Sequence, residues 1–315
     1  MNLKAVYNVA KLSYNIEPAT PLLIKSRETI DPTRPEMEFV RLKTPFGESV
    51  YLPGSSLKGA IRAHAERICR SLGLYVCDIL DTKQKGESCV GRAQRKNQEL
   101  EIVPYKDHCC VCRLFGSTSL ASRVLFNDAF PWQEGKSEEE KAKAIEEIKK
   151  FINVRPGIAI DRKKGSVKGG ALWEMEVLAG GTFYGELTIK NYQLYQLGLL
   201  LLTLHHMNSG LQKLGFGKSR GLGRVIVNIE GLEIQQLPVL GWEEGKIFGL
   251  GVKKELRGSY DLLEEDEVES PVNCAADWLS ARFYLGKEEV QKLLEGILSS
   301  NHWSLFLEKF KEGGN

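Results

Sequence analysis

Six of the seven cysteines in this 315-residue chain lie between Cys69 and Cys112, and Cys274 stands alone. Cys77, Cys89, Cys109 and Cys112 read C-x11-C-x19-C-x2-C. A C-x2-C pair can set two thiolates about 3.5–4 Å apart on one tetrahedral zinc, and two distant cysteines complete the shell. Residues 78–107 are polar and irregular, so a metal would supply folding energy that the segment's own side chains cannot. Four protein ligands leave no open position, and the site therefore reads as structural Zn2+. His108 and Cys110 flank the pair, and either could replace one member. Buried or free thiols are the bland alternative, disulfides being disfavoured in a cytoplasmic chain.

Composition narrows the class. Hydrophobic residues make up 42% and charged residues 27%, which fits a folded globular chain and excludes a disordered or collagen-like one. The longest apolar run, around Leu199–Leu202, is far short of the ~20 residues that span a bilayer, so no membrane partner is expected. The first residues, Met1-Asn2-Leu3-Lys4, lack the apolar core of a signal peptide, and the expected location is cytoplasmic. Residues 231–315 carry 9 basic and 16 acidic side chains, leaving 34 basic and 25 acidic in residues 1–230. The first part is thus +9 and the last −7, as suits a basic working domain facing a polyanion and an acidic extension.

Local patterns order the chain. Residues 4–16 read as a strand and 26–35 as a loop. Ser55 or Ser56 caps a helix whose Leu57, Ile61, Ile68 and Leu72 share a stripe, with Lys58, Arg62 and Arg67 outside. Residues 137–152 read as a helix with Glu138, Glu139 and Glu140 in its first turn. Strands are expected at 158–161, 171–178 and 183–189, then a long apolar helix at 192–211 and a strand at 224–229. This order fits an α+β, ferredoxin-like sheet with helices on one face. Residues 261–270 read as an acidic linker, followed by one or two amphipathic helices.

Two glycine motifs offer chemistry. Pro53-Gly54-Ser55-Ser56-Leu57-Lys58-Gly59-Ala60-Ile61-Arg62 puts amides, hydroxyls and two cations at a helix N-terminus, a seat for phosphate or an ordinary cap. Gly215-Phe216-Gly217-Lys218-Ser219-Arg220-Gly221-Leu222-Gly223-Arg224 contains Gly-Lys-Ser, but a P-loop needs glycine five positions before Gly217, where Gln212 stands. The loop also leads into a strand, so an ATPase is excluded. What remains is a loop whose amides and cations can approach a phosphate backbone, or a tight turn with solvated cations.

Together these motifs resemble the RAMP superfamily of CRISPR-associated proteins. Between them, Cys112-Arg113-Leu114-Phe115-Gly116-Ser117, Ala121-Ser122-Arg123-Val124 and Asp128-Ala129 are similar to a segment of type III backbone subunits. Ile160-Asp161-Arg162, Gly170-Ala171-Leu172, Glu176 and Gly181-Thr182-Phe183 resemble their hairpin. The resemblance covers residues 50–230 and stops near Leu240. Type III-D is the subtype it suggests.

The resemblance implies an RRM-like palm over residues 1–240, with a zinc-binding insertion at about 74–112 and a β-hairpin thumb at about 155–181. Residues 241–315 would be the acidic linker and helical C-terminal extension. It implies a subunit that stacks with copies of itself and other CRISPR effector subunits along guide CRISPR RNA. The expected RNA contacts are Ser55, Ser56, Lys58, Arg62, Arg123, Gly217, Lys218, Ser219 and Arg220, with Arg162, Lys163, Lys164 and Lys168 near the thumb tip. Some relatives also cut complementary target RNA, using an acidic loop residue and Mg2+ or Mn2+. Asp31 is the counterpart by context, and Glu36 or Glu38 by counting back from Pro53. Two alternatives remain: a non-cleaving RNA-binding scaffold, and a stand-alone ribonuclease that processes precursor guide RNA through histidines such as His64, His205 or His206.

Overall fold

The first predicted strand forms the middle of the molecule. In the computed structural model, Ala10, Leu12, Tyr14 and Ile16 are at most 2% exposed, while Lys11, Ser13 and Asn15 take the other face, the alternation a one-sided sheet demands. The structure describes residues 5–26, 35–79, 81, 88–96, 102–161, 163–237, 240, 243, 245–276 and 279–311.

The strands run as β1 (Asn8–Pro18), β2 (Arg41–Thr44), β3 (Gly47–Val50), β4 (Val124–Phe126), β5 (Ile152–Ile160) and β6 (Val167–Leu178). They continue as β7 (Phe183–Lys190), β8 (Val225–Gln236), β9 (Lys246–Phe248), β10 (Glu267–Glu269), β11 (Ala275–Ala276) and β12 (Ala281–Leu285). The helices are α1 (Gly54–Ser71), α2 (Cys89–Lys96), α3 (Cys110–Phe115), α4 (Glu138–Lys149), α5 (Leu194–Asn208), α6 (Lys254–Tyr260), α7 (Lys287–Ser299) and α8 (Asn301–Lys309). The fold is mixed α/β, with a large antiparallel sheet and eight helices among the described residues.

Six strands make the main sheet in the order β11-β12-β8-β1-β7-β4. Within it, β8, β1, β7 and β4 follow the chain as strand, helix, strand, strand, helix, strand, with α1 and α5 as the two helices. Helix α5 is largely apolar because most of it is covered: α1 and β8 lie against it, and α7 and α8 also pack on it. Gly198 makes that closeness possible, since a Cβ there would stand 2.7 Å from Ile297 Cγ2.

The C-terminal segment joins this core. Strand β12 pairs with β8 through Phe283 opposite Ile234 and so extends the sheet, a strand the sequence reading did not anticipate. The acidic run expected as a linker carries β10, paired with β9. Its Asp266 is fully buried and accepts bonds from the Leu194 amide at the start of α5 and from the Gly251 amide, both 2.7 Å. His302 Nε2 lies 3.2 Å from the same carboxylate.

Strands β5 and β6 form a hairpin outside the main sheet, pairing from Ile152–Leu178 to Ile160–Val167. The turn is closed by Asp161, whose Oδ1 accepts from the Lys163 amide at 2.8 Å. Before it, α4 begins with the reciprocal bonds of Ser137 and Glu140, a capping box as its sequence implies. At the hairpin's root, the Leu22 and Met37 amides donate to Leu178 and Glu174 carbonyls, at 2.9 and 3.2 Å.

Candidate functional site

The cysteine cluster is built by the ends of short helices. Cys77 follows the turn that ends α1, Cys89 opens α2, Cys109 caps α3, and Cys112 lies one turn inside it. The four sulfurs lie within 4.8 Å of one another, and all four residues are buried. Cys77 Sγ is 3.4 Å from Cys112 Sγ and 3.8 Å from Cys109 Sγ. A tetrahedron with Zn–S bonds of about 2.3 Å has edges near 3.8 Å, so the donor set and its dimensions fit zinc. The Cys109 amide donates to Cys89 Sγ at 3.1 Å, and Arg62 Nη2 approaches Cys112 Sγ at 3.3 Å. Both offset the negative charge that four thiolates around one divalent ion leave over. Hydrogen bonds from Cys112, Cys77 and Cys89 pull the Cys109 thiol well below its ordinary range, while the Cys109 contact pushes Cys89 and Cys112 up.

The two alternative ligands face elsewhere. Cys110 Sγ lies 3.8 Å from Cys69 Sγ. The ring of His108 is used at both nitrogens, by the Pro104 carbonyl and by Ser117 Oγ, each at 2.9 Å.

At the first glycine motif, Gly54 is required by packing: a Cβ would stand 2.3 Å from the Phe126 carbonyl oxygen. Its amide donates to Asp128 Oδ1 at 2.7 Å, so a carboxylate already occupies part of the helix N-terminus. Ser55 is exposed, and Ser56 and Lys58 are half-buried. Burial, and then the charge of Arg62, lower the Lys58 pKa. Arg62 itself turns inward. It donates to Glu66 at 2.9 Å and to the Gly116 carbonyl at 2.8 Å, besides its contact with Cys112. Arg123 is likewise engaged within the protein, donating to the Asn191 carbonyl and lying 4.5 Å from the Tyr105 ring centroid.

The second glycine motif folds on itself. Cβ atoms at Gly215 and Gly223 would stand 2.1 Å from the carbonyl oxygens of Leu23 and Leu214, so these two serve close backbone packing. Gly217 and Gly221 take left-handed backbone, φ +69 and +84, on either side of the short helical turn Lys218–Arg220. That conformation favours glycine. Lys218, Ser219 and Arg220 are exposed at this tip. Lys213 Nζ donates to the Lys218 carbonyl at 2.9 Å and braces it. Partial burial and the nearby Arg67 lower the Lys218 pKa. The tip therefore gathers Lys213, Lys218 and Arg220, with Arg67 of α1 close by.

On the hairpin, Lys163 and Lys164 are exposed at the turn. Arg162 and the side chain of Lys168 lie outside the described residues. Val154, Ile158, Ile160 and Val167 are 49–60% exposed, a large unpartnered apolar surface for one hairpin. Asp31 also lies outside the described residues. Of its alternatives, Glu38 borders the pairing at the hairpin root, where its carbonyl accepts from the Ser26 amide at 2.9 Å.

Two charged anchors were invisible as such in the sequence. Arg113 of the Cys-Arg-Leu-Phe-Gly motif is 2% exposed and donates to the His108 carbonyl and to Asp261 Oδ2, both 2.9 Å. It thereby ties the cysteine segment to the C-terminal region. Glu176 is 8% exposed and takes both arms of Arg41, at 2.8 and 2.9 Å. Motif membership marked both positions, but Asp261 and Arg41, the charged partners that turn them inward, lie far away in the chain.

Among the described residues no helix is long and apolar enough to cross a membrane. A comparison with curated proteins returned no match. The sequence profile described as the RAMP superfamily matches residues 15–226, a span that runs from the central strand through both glycine motifs, the cysteine cluster and the hairpin. With more than half of its length matched by that profile, the chain belongs to the RAMP superfamily, a family associated with CRISPR complexes and RNA binding.

Proposed function

We propose that this chain is a guide-RNA-binding backbone subunit of a type III CRISPR effector, of the III-D kind, that also cleaves bound target RNA. The observation that carries the reading is the Lys218–Arg220 tip. It is a glycine-framed loop presenting exposed cations and a hydroxyl beside Arg67, as phosphate-backbone contacts need.

The connectivity of β1, α1, β4, β7, α5 and β8 supports a ferredoxin-like, RRM-like palm. The open face of that sheet carries Lys11, Ser13, Asn15, Thr188 and Asn228 in neighbouring registers, together with Tyr184 beside Asn15 and the exposed side chains of Leu125, Ile226 and Tyr284. The exposed apolar side chains of the β5–β6 hairpin support its role as a thumb that meets target, guide or a neighbouring copy. Zinc at the four cysteines would be structural, closing the segment between α1 and α3.

Cleavage rests on the acidic loop. Asp31 is the proposed residue, Glu36 and Glu38 the alternatives, with Mg2+ or Mn2+ supplying Lewis-acid charge when bound. Asp31→Ala should preserve assembly and guide binding and abolish cutting of a matched target. Normal cutting by Asp31→Ala, Glu36→Ala and Glu38→Ala alike would refute the acidic-loop mechanism, and no cutting of a matched target by the wild-type assembly would leave the non-cleaving scaffold as the correct reading. The histidine-based processing nuclease has less support: His64 Nε2 is spent on His206 Nδ1 at 3.0 Å, inside the packing of α1 against α5.

A further inference from the structure

An ion pair with no exposed surface joins the C-terminal region to the start of α5. His302 of α8 and Asp266, just before β10, have side chains at 0% exposure, with His302 Nε2 3.2 Å from Asp266 Oδ1. Asp266 Oδ1 and Oδ2 each accept a backbone amide, from Leu194 and Gly251, at 2.7 Å. Glycine lets the backbone come this near: a Cβ at Gly249 would stand 2.1 Å from Oδ1, and one at Gly251 2.9 Å from Asp266 Cβ. On the far side of the ring, His302 Nδ1 lies 2.8 Å from the Glu264 carbonyl. A carbonyl only accepts, so Nδ1 carries a hydrogen. Nε2 has no other hydrogen-bond partner.

A neutral ring with its hydrogen on Nδ1 would turn the Nε2 lone pair towards a carboxylate. Two acceptors would then face each other where water does not reach, a costly arrangement. One further proton removes the conflict. With both carboxylate oxygens taken by amides, it belongs on Nε2, and His302 is an imidazolium against an ionised Asp266. Burial pushes the Asp266 carboxyl up, opposed by His302 and the two amides. The other titratable groups facing the pair are the phenols of Tyr192 and Tyr195, both pushed up by burial. Charged side chains on the packing elements are engaged elsewhere: Arg257 with Glu264, Asp261 with Arg113 and Lys309, Glu265 with Asn301 and Glu267 with Lys246. Glu269 and Glu308 are exposed. We infer that this single proton clasps residues 262–311 onto α5, and that its loss at alkaline pH frees them, a regulatory device independent of the RNA-binding reading. Above about pH 6.5 the unfolded chain leaves histidine neutral and aspartate ionised, so folding takes up one proton. The clasp is therefore complete below that pH. As pH rises its opening constant grows about tenfold per unit, until the folded ring gives up its proton.

Hydrogen exchange of the full-length protein, corrected for the intrinsic pH dependence of amide exchange, reads the opening of α8 directly. Wild type should show the rise of about tenfold per pH unit above about pH 6.5 in α8 and at the Leu194 and Gly251 amides. His302→Gln, whose carboxamide can donate to Asp266 without titrating, should open to an extent that does not move with pH. In nitrogen-15 spectra of the wild-type protein, both His302 ring nitrogens should still be protonated about one unit above the usual histidine value. That readout decides the matter even if the variant does not fold. A neutral His302 ring at that pH overturns the clasp. So does an α8 opening constant that is flat with pH in wild type, or one that keeps the wild-type slope in His302→Gln.

Discussion

Removing Glu176 should loosen the attachment of the hairpin to the rest of the fold. Its carboxylate accepts three bonds: two from Arg41, at 2.8 and 2.9 Å, and one from the Phe39 amide at 2.9 Å. Phe39 is 1% exposed, so in Glu176→Ala its amide loses its partner in a place water does not reach. Breaking a fully buried ion pair from one side costs about 3–5 kcal/mol. The Arg41 side chain is 24% exposed and regains some hydration, which brings the expected cost to about 2–3 kcal/mol. Glu176→Gln keeps an acceptor for Phe39 and one for Arg41, so about 1 kcal/mol is expected, the scale of one hydrogen bond. Denaturant unfolding at unchanged slope gives the difference directly. At about 2 °C per kcal/mol for a chain of this size, the alanine variant should melt about 4–6 °C lower. A Glu176→Ala protein within 0.5 kcal/mol of wild type would refute the reasoning, because it would mean that the clasp contributes nothing net.

Other perturbations separate the roles of neighbouring groups. Purified protein should carry one equivalent of zinc by metal analysis; Cys77→Ser should lose it, whereas Cys110→Ser, whose sulfur faces Cys69, should retain it. Arg62→Ala should lower metal retention and thermal stability before it changes RNA affinity, since Arg62 contacts Cys112, Glu66 and the Gly116 carbonyl; a pure loss of RNA affinity would contradict that placement. His64 is held down to about 4 by burial first, then by Arg67 and His206. The folded state thus resists its protonation, and stability should fall as pH drops from about 6.5 towards 4 as the unfolded chain takes up the proton. His64→Gln should flatten that part of the stability–pH curve.

Much of the core was legible because its periodicity is strong. The strand at Asn8–Pro18, the helix from Gly54 and the apolar helix at Leu194–Asn208 bury most of the side chains that marked them, although Leu72, just past the end of the helix from Gly54, is 44% exposed. The four-cysteine set was legible because spacing alone selects it. The hairpin's first strand was read short, at 158–161, since Pro156 and Gly157 interrupt a strand pattern in β5, yet pairing continues through them to Ile152. Strand β12 was missed because five residues give little periodicity; it exists because β8 offers an edge. Charge was the least legible feature. Nothing local distinguishes Arg62, Arg113 and Arg123, which turn inward, from Arg220, which does not. Asp266 sits in a run of acids that looks solvated, and only the fold brings the amides of Leu194 and Gly251 to it.

The glycine-framed Lys218–Arg220 tip is proposed to hold guide RNA. Recovering the full-length protein from its own cells and sequencing the RNA bound to it tests this most directly, with Lys218→Ala/Arg220→Ala recovered in parallel. RNAs of uniform length that share a repeat-derived flank and differ in their spacer sequence are expected, strongly depleted from the double variant. Recovery of no RNA, or of bulk cellular RNA without such a flank and equally from both proteins, would contradict the proposal.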